Sequence, residues 1–468
     1  MIALAHFKKC PSILSIPKDI DLNSSLNFCT DTRKYHHPSF FVAIPGIKVN
    51  PLDVLENLLS QKCPLIVFQD DLINQSKVNI LQAKFPKTSF LPVSDSVTFL
   101  QELSHQHIIN WKKLNSKNTV FAISGSNGKT THKEMLSHIL KTIKPNKIVA
   151  TEKNNNNHLG VPLTLLQVND QTEMVVLELG SNHPGEIKVL CDIASPNAGL
   201  TTNIGATHLE FFETEEKVFD EEGHLYHAVK EFSHGKGFYL INKDDNFLKI
   251  FSSFDGAVTF GTSVDAEAKV AFLENGAQIE YKHQSLVATN NQITGRHNKL
   301  NLVTCVFIAS HFYPESREEI LIAASNFRPT KNRSEWIEFD GRPVFLDAYN
   351  ANPSSMKAAL EGFKESVLSQ GFTLDQACVV LGDMNELGNS SAQYHKDVGG
   401  FIKLLGFNQV YFIGRFSGDY LKGHPQATGR QSAAEFKQDF RNVVLKKYQI
   451  HFIKGSRSLQ LESLFDIT

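Results

Sequence analysis

The feature that most restricts this fold is a glycine-containing loop set between two apolar segments. The first segment, 120–123, is short and uniformly apolar, which predicts a buried strand, and the loop after it has the sequence SGSNGKTT (124–131). The apolar residues beyond the loop recur at helical spacing: Met135, Leu136, Ile139, Leu140 and Ile143. Glycines allow the backbone N–H groups of such a loop to turn inward at the start of a helix, where anions bind. The order of strand, loop and helix therefore predicts a nucleotide-binding α/β domain.

The residues of this loop have predicted roles toward a bound nucleotide. The predicted ATP contacts are Gly125, Ser126, Asn127, Gly128, Lys129, Thr130 and Thr131. Lys129 is expected to reach the β- and γ-phosphates, and the Thr130 hydroxyl is expected to ligate Mg²⁺. The loop is shorter than the usual phosphate-binding pattern, because Ile123 occupies the position of the first glycine. The alternative is a glycine-rich turn with a surface lysine; the strand before the loop and the helix after it favour the nucleotide site.

Strand and helix patterns alternate along most of the chain. From residue 119 the predicted strands are 120–123, 148–150, 174–179, 199–203 and 238–241, with helical segments between them, which predicts a mostly parallel sheet. The segment 255–295 predicts short alternating strands. A second α/β series begins near Arg328, with strands 344–348, 377–382, 410–413 and 451–453, and residues 1–112 predict a smaller mixed unit. The expected fold is α/β in three domains, 1–112, 113–327 and 328–468.

Bulk composition excludes several classes of function. The 468 residues suit about three domains of ordinary globular composition. The net charge of −2 and the pI of about 6.8 provide no broad cationic surface for nucleic acid. The six cysteines are scattered without a CxxC pair, which favours reduced thiols over disulfides or a zinc site. The N-terminal apolar stretch is too short and interrupted for a signal peptide, and no window approaches an uncharged membrane span, so a cytoplasmic protein is expected.

Two residues beyond the loop are candidates to complete a metal site. Glu178 is a lone acid that closes the apolar segment 174–177, and the ends of neighbouring parallel strands meet at one edge of a sheet. A strand-end glutamate that faces solvent is the alternative. His208 follows another predicted strand end and is a candidate ligand of a second Mg²⁺, although this cation prefers oxygen. Taken alone, a loop histidine more often has no such role.

Ordered motifs throughout the chain resemble the Mur ligase family. They are TDTR (30–33) with FFVAIPG (40–46), NNNNHLGVPL (154–163), ELGSNHPGEI (178–187), GRHN (295–298) with Asn301, DAYNANP (347–353), LGDMNELG (381–388) and KGSR (454–457). The motifs at 347–353 and 381–388 are the most selective. They are typical of the family member that adds D-alanyl-D-alanine, and the Asp-Asn-Pro-Arg signature of the sister ligase that adds the third peptide residue is not found.

The resemblance implies a fold and a reaction. The implied fold has an N-terminal mixed α/β domain that binds the nucleotide sugar, a central P-loop ATPase-like α/β domain with a parallel sheet, and a C-terminal Rossmann-like α/β domain. In the implied reaction of peptidoglycan precursor synthesis, ATP phosphorylates the terminal carboxylate of a UDP-N-acetylmuramoyl tripeptide, and the amine of D-alanyl-D-alanine attacks the acyl phosphate. ATP and Mg²⁺ are the implied cofactors. The two peptide substrates are the expected partners, without nucleic acid or membrane insertion, and the protein is expected to be a monomer.

The resemblance also assigns roles to residues. The implied catalytic residues are Lys129, Glu178 and His208, and the implied metal ligands are Thr130, Glu178 and His208. Asn298, Arg333 and Asp347 are implied to contact the nucleotide, Asp347 through the ribose hydroxyls. The implied substrate contacts are Thr32, Arg33, Gly46, Asn156, Asn157, Asn350 and Asn352. An asparagine that caps a helix is another role for the segment 350–353, and the two roles are compatible.

One position departs from the family pattern. The family has a carbamylated lysine fourteen residues after the metal-binding histidine, whereas counting from His208 reaches Glu222. We hypothesise that Glu222 is a catalytic residue that replaces the carbamate with its own charge on a shorter arm. The alternative is that Glu221 and Glu222 are solvated helix acids and that the second metal site is weakened.

Two rival functions differ from this interpretation. A related amide ligase, such as a folylpolyglutamate synthase or the tripeptide-forming Mur enzyme, is disfavoured by the N-terminal segment and by the motif at 347–353. A nucleotide-binding scaffold without ligase activity is suggested only by Glu222. The intact Lys129, Thr130, Glu178 and His208 count against that scaffold.

Overall fold

Three sheets follow one another along the chain in the computed structural model, which describes residues 1–46, 49–251 and 254–465. Most neighbouring strands are parallel, and apolar side chains are buried on both faces of each sheet. This is the arrangement expected when strands alternate with helices along the sequence. None of the helices in the described ranges is long and apolar enough to cross a membrane.

The N-terminal domain is built on a five-stranded sheet. Its elements are β1 (Ile2–Ala3), β2 (Ser25–Cys29), β3 (Ser39–Ala43), α1 (Glu56–Ser60), β4 (Leu65–Gln69), α2 (Leu72–Lys84), β5 (Ser89–Val93) and α3 (Ser96–Leu114). The strand order is β1-β2-β3-β4-β5, and only the pair β1–β2 is antiparallel among these described neighbours. Asp71 and Asp95 begin α2 and α3, since their carboxylates accept backbone N–H groups of the first turn.

The central domain contains the phosphate loop. Its elements are β6 (Thr119–Ser124), α4 (Lys129–Ile143), β7 (Ile148–Ala150), α5 (Gly160–Leu165), β8 (Met174–Glu178), α6 (Glu186–Ala194), β9 (Ala198–Thr201), α7 (Leu209–Phe212), α8 (Glu215–Phe232), β10 (Phe238–Asn242), β11 (Ala257–Gly261), β12 (Ala268–Leu273), β13 (Gly276–Tyr281), β14 (Gln284–Thr289), α9 (Arg296–Phe312) and α10 (Arg317–Asn326). The strand order is β14-β13-β12-β11-β10-β9-β6-β8-β7. β6 lies between β8 and β9, where the strand order reverses, so the loop after β6 opens into the crevice at which α/β sheets bind ligands.

The C-terminal domain is a second α/β unit. Its elements are β15 (Glu335–Phe339), β16 (Arg342–Asp347), α11 (Pro353–Ser369), β17 (Ala377–Gly382), α12 (Ser391–Leu405), β18 (Val410–Ile413), α13 (Ser417–Gly423), β19 (Thr428–Arg430), α14 (Ala433–Asp439), α15 (Leu445–Lys447) and β20 (Ile450–Lys454). The strand order is β15-β16-β20-β17-β18-β19, and β15 is antiparallel to β16. The Rossmann-like arrangement implied by the motifs is therefore present, with one antiparallel strand at the edge.

The helix after the phosphate loop buries its predicted face. Met135, Leu136, Ile139 and Leu140 are fully buried against the central sheet, and Ile143 packs at the edge of the same cluster. Each such side chain contributes about 1.5–3 kcal/mol on leaving water. This burial holds the N-terminus of α4 in place at the end of β6.

The predicted strands are present, with ends displaced by at most a few residues. The segment 199–203, for example, forms β9 over Ala198–Thr201, because its last residues turn into the loop beside the phosphate loop. The predicted boundary between residues 112 and 113 falls inside α3. This helix of 19 residues packs Phe99 and Leu103 into the N-terminal core but Ile108 and Trp111 into the central core. The division into domains at that residue therefore stays a prediction.

Candidate functional site

A cleft of about 660 Å³ lies between the central and C-terminal domains. From the central domain its lining includes Ser126, Asn127, Gly128, Lys129, Thr130, Thr131, Asn156, Asn157, Glu178, His208 and Asn298. From the C-terminal domain it includes Arg333, Asp347, Tyr349, Asn350 and Lys454. The structure therefore brings together most of the predicted site residues, although they are separated by more than 200 positions in sequence.

The phosphate loop reaches the cleft because of the pairing of β6. Ile123 is opposite Glu178 of β8, and Ser124 is opposite Thr201 of β9. Gly125 has φ 118°, and a Cβ atom there would lie 2.2 Å from the Oγ1 atom of Thr202, so the close approach to the next strand end requires glycine. Gly125 itself does not line the cleft. Gly125 bends the loop, and its expected contact with ATP stays a prediction.

Lys129 is held back against its own loop. Its Nζ atom donates to the carbonyl oxygen of Gly125 and lies 3.8 Å from the Oε1 atom of Glu222. The side chain is 14% exposed and lines the cleft, so its charge is partly shielded from water. A partly buried ammonium group at the N-terminus of a helix is a strong site for a phosphate.

The Glu178 carboxylate has one oxygen atom with hydrogen-bond partners and one oxygen atom available to a cation. Its Oε1 atom accepts hydrogen bonds from the Thr130 hydroxyl at 2.9 Å and from Asn156 Nδ2 at 3.0 Å. Its Oε2 atom is buried and, within the described parts of the chain, has no hydrogen-bond partner. A buried carboxylate oxygen without a partner is costly unless a cation or water meets it. The pair Thr130 and Glu178 therefore fits Mg²⁺, which takes one or two protein oxygens and completes its shell with phosphate and water.

No group of three or more His, Cys, Asp and Glu side chains suited to a metal ion occurs in the described ranges. His208 lies in the same cleft but contacts the C-terminal domain. Its Nδ1 atom is 2.5 Å from the Oε2 atom of Glu386, and this contact lowers the pKa of the Glu386 carboxyl. The backbone N–H of Glu210 also donates to the carbonyl oxygen of Glu386, at 3.0 Å. The role of His208 as a second metal ligand stays a prediction.

Glu222 is a buried acid beside the phosphate loop. The carboxylate is 2% exposed and lies behind the loop, where Oε2 accepts the Gly125 N–H at 2.7 Å. Glu222 does not line the cleft, and its replacement of the carbamate stays a prediction. The alternative of a solvated acid is wrong, because the side chain is buried. Neighbouring Glu221 is equally buried, and it accepts the backbone N–H groups of Gly185 and Ile187 at the start of α6.

The nucleotide contacts implied for Asn298, Arg333 and Asp347 fall on one wall of the cleft. The Asp347 Oδ2 atom accepts from Lys454 Nζ at 2.5 Å, since β16 and β20 pair with these two residues opposite each other. The Arg333 guanidinium lies 3.7 Å from the ring centroid of Tyr349. Burial lowers the pKa of nearby His297 to about 4, against the opposing effect of Asp347, so this imidazole is neutral at pH 7.

The asparagines assigned to substrate divide into two groups. Asn156 and Asn350 line the cleft, and Asn157 does so while its Oδ1 atom accepts the Gly160 N–H at the start of α5. Asn352 does not line the cleft. It begins α11 in a capping box with Ser355, so the helix-capping role is present and the contact with substrate stays a prediction.

The N-terminal residues assigned to the nucleotide sugar lie in a different place. Gly46 lines a separate cavity of about 350 Å³, together with Asn50, Asp71 and Asn74. Thr32 and Arg33 do not line that cavity, and the Arg33 guanidinium forms an exposed ion pair with Asp31 at 2.8 Å. Of these three residues Gly46 lines this cavity, and the contacts of Thr32 and Arg33 with the nucleotide sugar stay predictions.

Lys454 and Glu386, which contact predicted site residues, were outside the predicted set. Lys454 is buried and closes the mostly apolar segment 450–453, so it carries a signal like that of Glu178, a charge at the end of a strand. Glu386 meets His208 only through the packing of two domains. No local sequence signal identifies such a partner.

Comparison with known proteins places these features in a family. The family model described as the Mur ligase middle domain matches residues 123–309, and the model described as the Mur ligase, glutamate ligase domain matches residues 332–454. The two matches contain the phosphate loop, Glu178, His208 and the C-terminal wall of the cleft.

Individual relatives span nearly the whole chain. The UDP-N-acetylmuramoyl-tripeptide–D-alanyl-D-alanine ligase of Bacillus subtilis is 27% identical over 445 residues, which cover 93% of this chain and 91% of that protein. The solved structure of MurF from Acinetobacter baumannii is 25% identical with a TM-score of 0.80 and covers 99% of this chain and 97% of that one. The MurF ligase from Thermotoga maritima in complex with ADP is 22% identical with a TM-score of 0.75, covers 94% and 96% of the two chains, and supports the fold.

Proposed function

This chain belongs to the Mur ligase family, and from that premise we propose that it joins D-alanyl-D-alanine to UDP-N-acetylmuramoyl-tripeptide with cleavage of ATP. The products are the UDP-N-acetylmuramoyl-pentapeptide, ADP and phosphate. The related ligase from Bacillus subtilis carries this activity in its name and aligns over almost the full length of both chains.

One observation carries the proposal. A single cleft contains a phosphate loop with its carboxylate partner from the central domain and a second set of polar groups from the C-terminal domain. A ligase of this kind needs the nucleotide, the carboxylate and the amine in one place, since the phosphorylated intermediate reacts with water if it is released.

The chemistry assigned to the site follows from the substrates. A carboxylate has no adequate leaving group for attack by an amine at neutral pH. Transfer of the γ-phosphoryl group of ATP to the terminal carboxylate of the tripeptide gives an acyl phosphate, and attack of the dipeptide amine on its carbonyl carbon then releases phosphate. Negative charge develops on the phosphoryl oxygens and afterwards on the tetrahedral oxygen.

The protein groups that stabilise this charge are those of the cleft. Lys129 and the backbone N–H groups at the start of α4 meet the phosphoryl oxygens. When bound by Thr130 and Glu178, Mg²⁺ supplies further positive charge to the phosphates. We assign Arg333 and Asp347, on the opposite wall, to orientation of the nucleotide, and Asn350, which lines the same cleft, to contact with the acceptor dipeptide.

The decisive experiment measures phosphate release from ATP with purified protein. Release is expected only when both UDP-N-acetylmuramoyl-tripeptide and D-alanyl-D-alanine are present, and mass spectrometry should detect the pentapeptide product. Omission of either substrate, or replacement of the dipeptide by D-alanine, serves as the control. Nucleotide binding without turnover under the complete conditions would instead favour the scaffold, and turnover with dihydrofolate and glutamate would favour a folylpolyglutamate synthase.

A further inference from the structure

The phosphate loop is tied to the C-terminal domain by two side-chain hydrogen bonds. Asn352 Nδ2 donates to Asn127 Oδ1 at 2.7 Å, and Asn127 Nδ2 donates to Ser354 Oγ at 2.8 Å. Asn127 belongs to the phosphate loop, whereas Asn352 and Ser354 lie at the start of α11. We refer to these three residues as the clasp.

The side chain of Asn352 forms its hydrogen bonds inside the protein and does not line the cleft. Its side chain is buried, and its Oδ1 atom accepts the Ser355 N–H at 2.9 Å and the Ser354 hydroxyl at 3.1 Å. Both polar atoms of the amide are therefore engaged inside the molecule. This geometry suits a residue that connects two domains better than one that recognises a dipeptide.

The backbone of Asn127 is held independently of the clasp. Its N–H donates to Asn203 Oδ1 at 3.2 Å, and its carbonyl oxygen accepts from Thr202 Oγ1 at 2.6 Å, both within the central domain. The side chain reaches the C-terminal domain, and its Nδ2 atom makes a longer second bond to Asn203 Oδ1 at 3.4 Å. Ser354 also sits close to the neighbouring loop, since a Cβ atom on Gly205 would lie 2.9 Å from its Oγ atom.

We propose that Asn352 is a positioning residue that closes the C-terminal domain over the phosphate loop. Closure brings Arg333, Asp347 and Lys454 to the wall facing the loop. A nucleotide held between both walls binds more tightly to the closed form and, by linkage, stabilises the clasp in return. The inference rests on the nucleotide-binding part of the proposed function and not on the identity of the peptide substrates.

Two variants remove the clasp from opposite sides. Asn352→Ser keeps an oxygen that can cap α11 but is too short to reach Asn127. Asn127→Ala leaves the backbone bonds of the phosphate loop in place. In the full-length protein, each variant is expected to weaken binding of a non-hydrolysable ATP analogue with Mg²⁺ about three- to tenfold, the effect of one or two lost neutral hydrogen bonds. Small-angle X-ray scattering should show a larger radius of gyration.

A double-mutant cycle and a matched control complete the test. The double variant should bind the analogue no more weakly than the weaker single variant, because both remove the same contact. Ser432→Ala removes the cap of α14, at a distance from the cleft, and should lower the melting temperature without changing nucleotide affinity. Unchanged affinity and dimensions in Asn352→Ser, additive effects in the cycle, or an equal loss of affinity in Ser432→Ala would each overturn the proposal. Ligase activity is measured separately, so a wrong peptide substrate leaves this result intact.

Discussion

Lys129 contributes a charge that no other residue of the phosphate loop supplies, and its Nζ atom already lies against the loop carbonyl of Gly125. Lys129→Met preserves most of the side-chain length and removes the ammonium group. We expect kcat/KM for phosphate release to fall about 10²–10³-fold, as for the loss of one electrostatic contact with the transition state. Lys144→Met, at the other end of α4, is the matched control and should keep the parent rate. Parent-like turnover in Lys129→Met would contradict this assignment.

Glu222 supports the phosphate loop from behind, and its two oxygens have different partners there. Glu222→Ala leaves the buried N–H of Gly125 without an acceptor, which should cost about 1–3 kcal/mol of stability. Glu222→Gln retains an acceptor oxygen and should lose less. The free energy of unfolding is measured by urea titration, and the rate of phosphate release is measured in parallel.

The matched control for Glu222 is Asp220→Ala, an exposed acid on the same helix. It should change neither stability nor rate. If Glu222→Ala were as stable and active as the parent protein, the supporting role of this carboxylate would be excluded, and so would any role in place of the carbamate.

Helix α4, which begins at the phosphate loop, contains a buried histidine that makes stability depend on pH. His132 is buried in its first turn, where its Nδ1 atom lies 2.9 Å from the carbonyl oxygen of Gly128. Burial lowers the pKa of His132 from 6.5 to about 4. Unfolding therefore takes up a proton between these two pH values, and stability falls as the pH is lowered from about 6.5 to about 4.

The variant His132→Gln tests this linkage. Its melting temperature should fall less than that of the parent protein when the pH is lowered from 7 to 4.5, because one buried titrating group is gone. Part of the fall should remain, since burial also holds the pKa values of His6, His297 and His451 at about 4. His36→Gln, at an exposed position, should behave as the parent protein does. An identical pH dependence in His132→Gln would contradict the prediction.

The predicted helices and strands were correct where the element buries one face or is buried on all sides. The face of α4 and the strand β17 were predicted correctly, because each is set by local periodicity and by an uninterrupted apolar run. Several strands were not predicted, among them β5, β15 and β19. β15 is a half-buried edge strand whose polar and apolar residues give a weak signal, and it becomes a strand by pairing with β16.

For the whole molecule, α3 is the joint between the first two domains. Trp111 is buried at its C-terminal end, where Nε1 donates to the carbonyl oxygen of Thr172 at 3.1 Å. Trp111→Phe leaves that buried oxygen unpaired and should destabilise the protein by about 1–3 kcal/mol. Calorimetry should show a lower melting temperature, while phosphate release at 25 °C keeps the parent rate because Trp111 is outside the cleft.

The second tryptophan provides the comparison. Trp336 donates to the Thr294 hydroxyl at the joint between the central and C-terminal domains, and it is only half-buried. Water can replace its lost hydrogen bond in Trp336→Phe, so the loss of stability should be smaller. An equal or larger loss of stability in Trp336→Phe would show that burial of the indole does not determine how much stability is lost.

The phosphate loop, the strand that precedes it and the lone Glu178 were all predictable from short stretches of chain. In each case the physical cause is local, because glycine conformations, helical periodicity and a charge closing an apolar run need no distant partner. The pairing of Thr130 with Glu178, by contrast, follows from the register of β6 with β8.

Other parts of the site depend on how the domains pack. Asn352 was assigned to the cleft from its motif and Glu222 from its spacing to His208, yet Asn352 donates to Asn127 and Glu222 lies behind the loop. The contact of His208 with Glu386 also depends on domain packing, because it joins segments that are far apart in sequence. Local sequence patterns therefore predict which functional groups the protein contains. Burial and strand register determine which of these groups face the cleft, because the partners of a side chain are fixed only when distant elements pack.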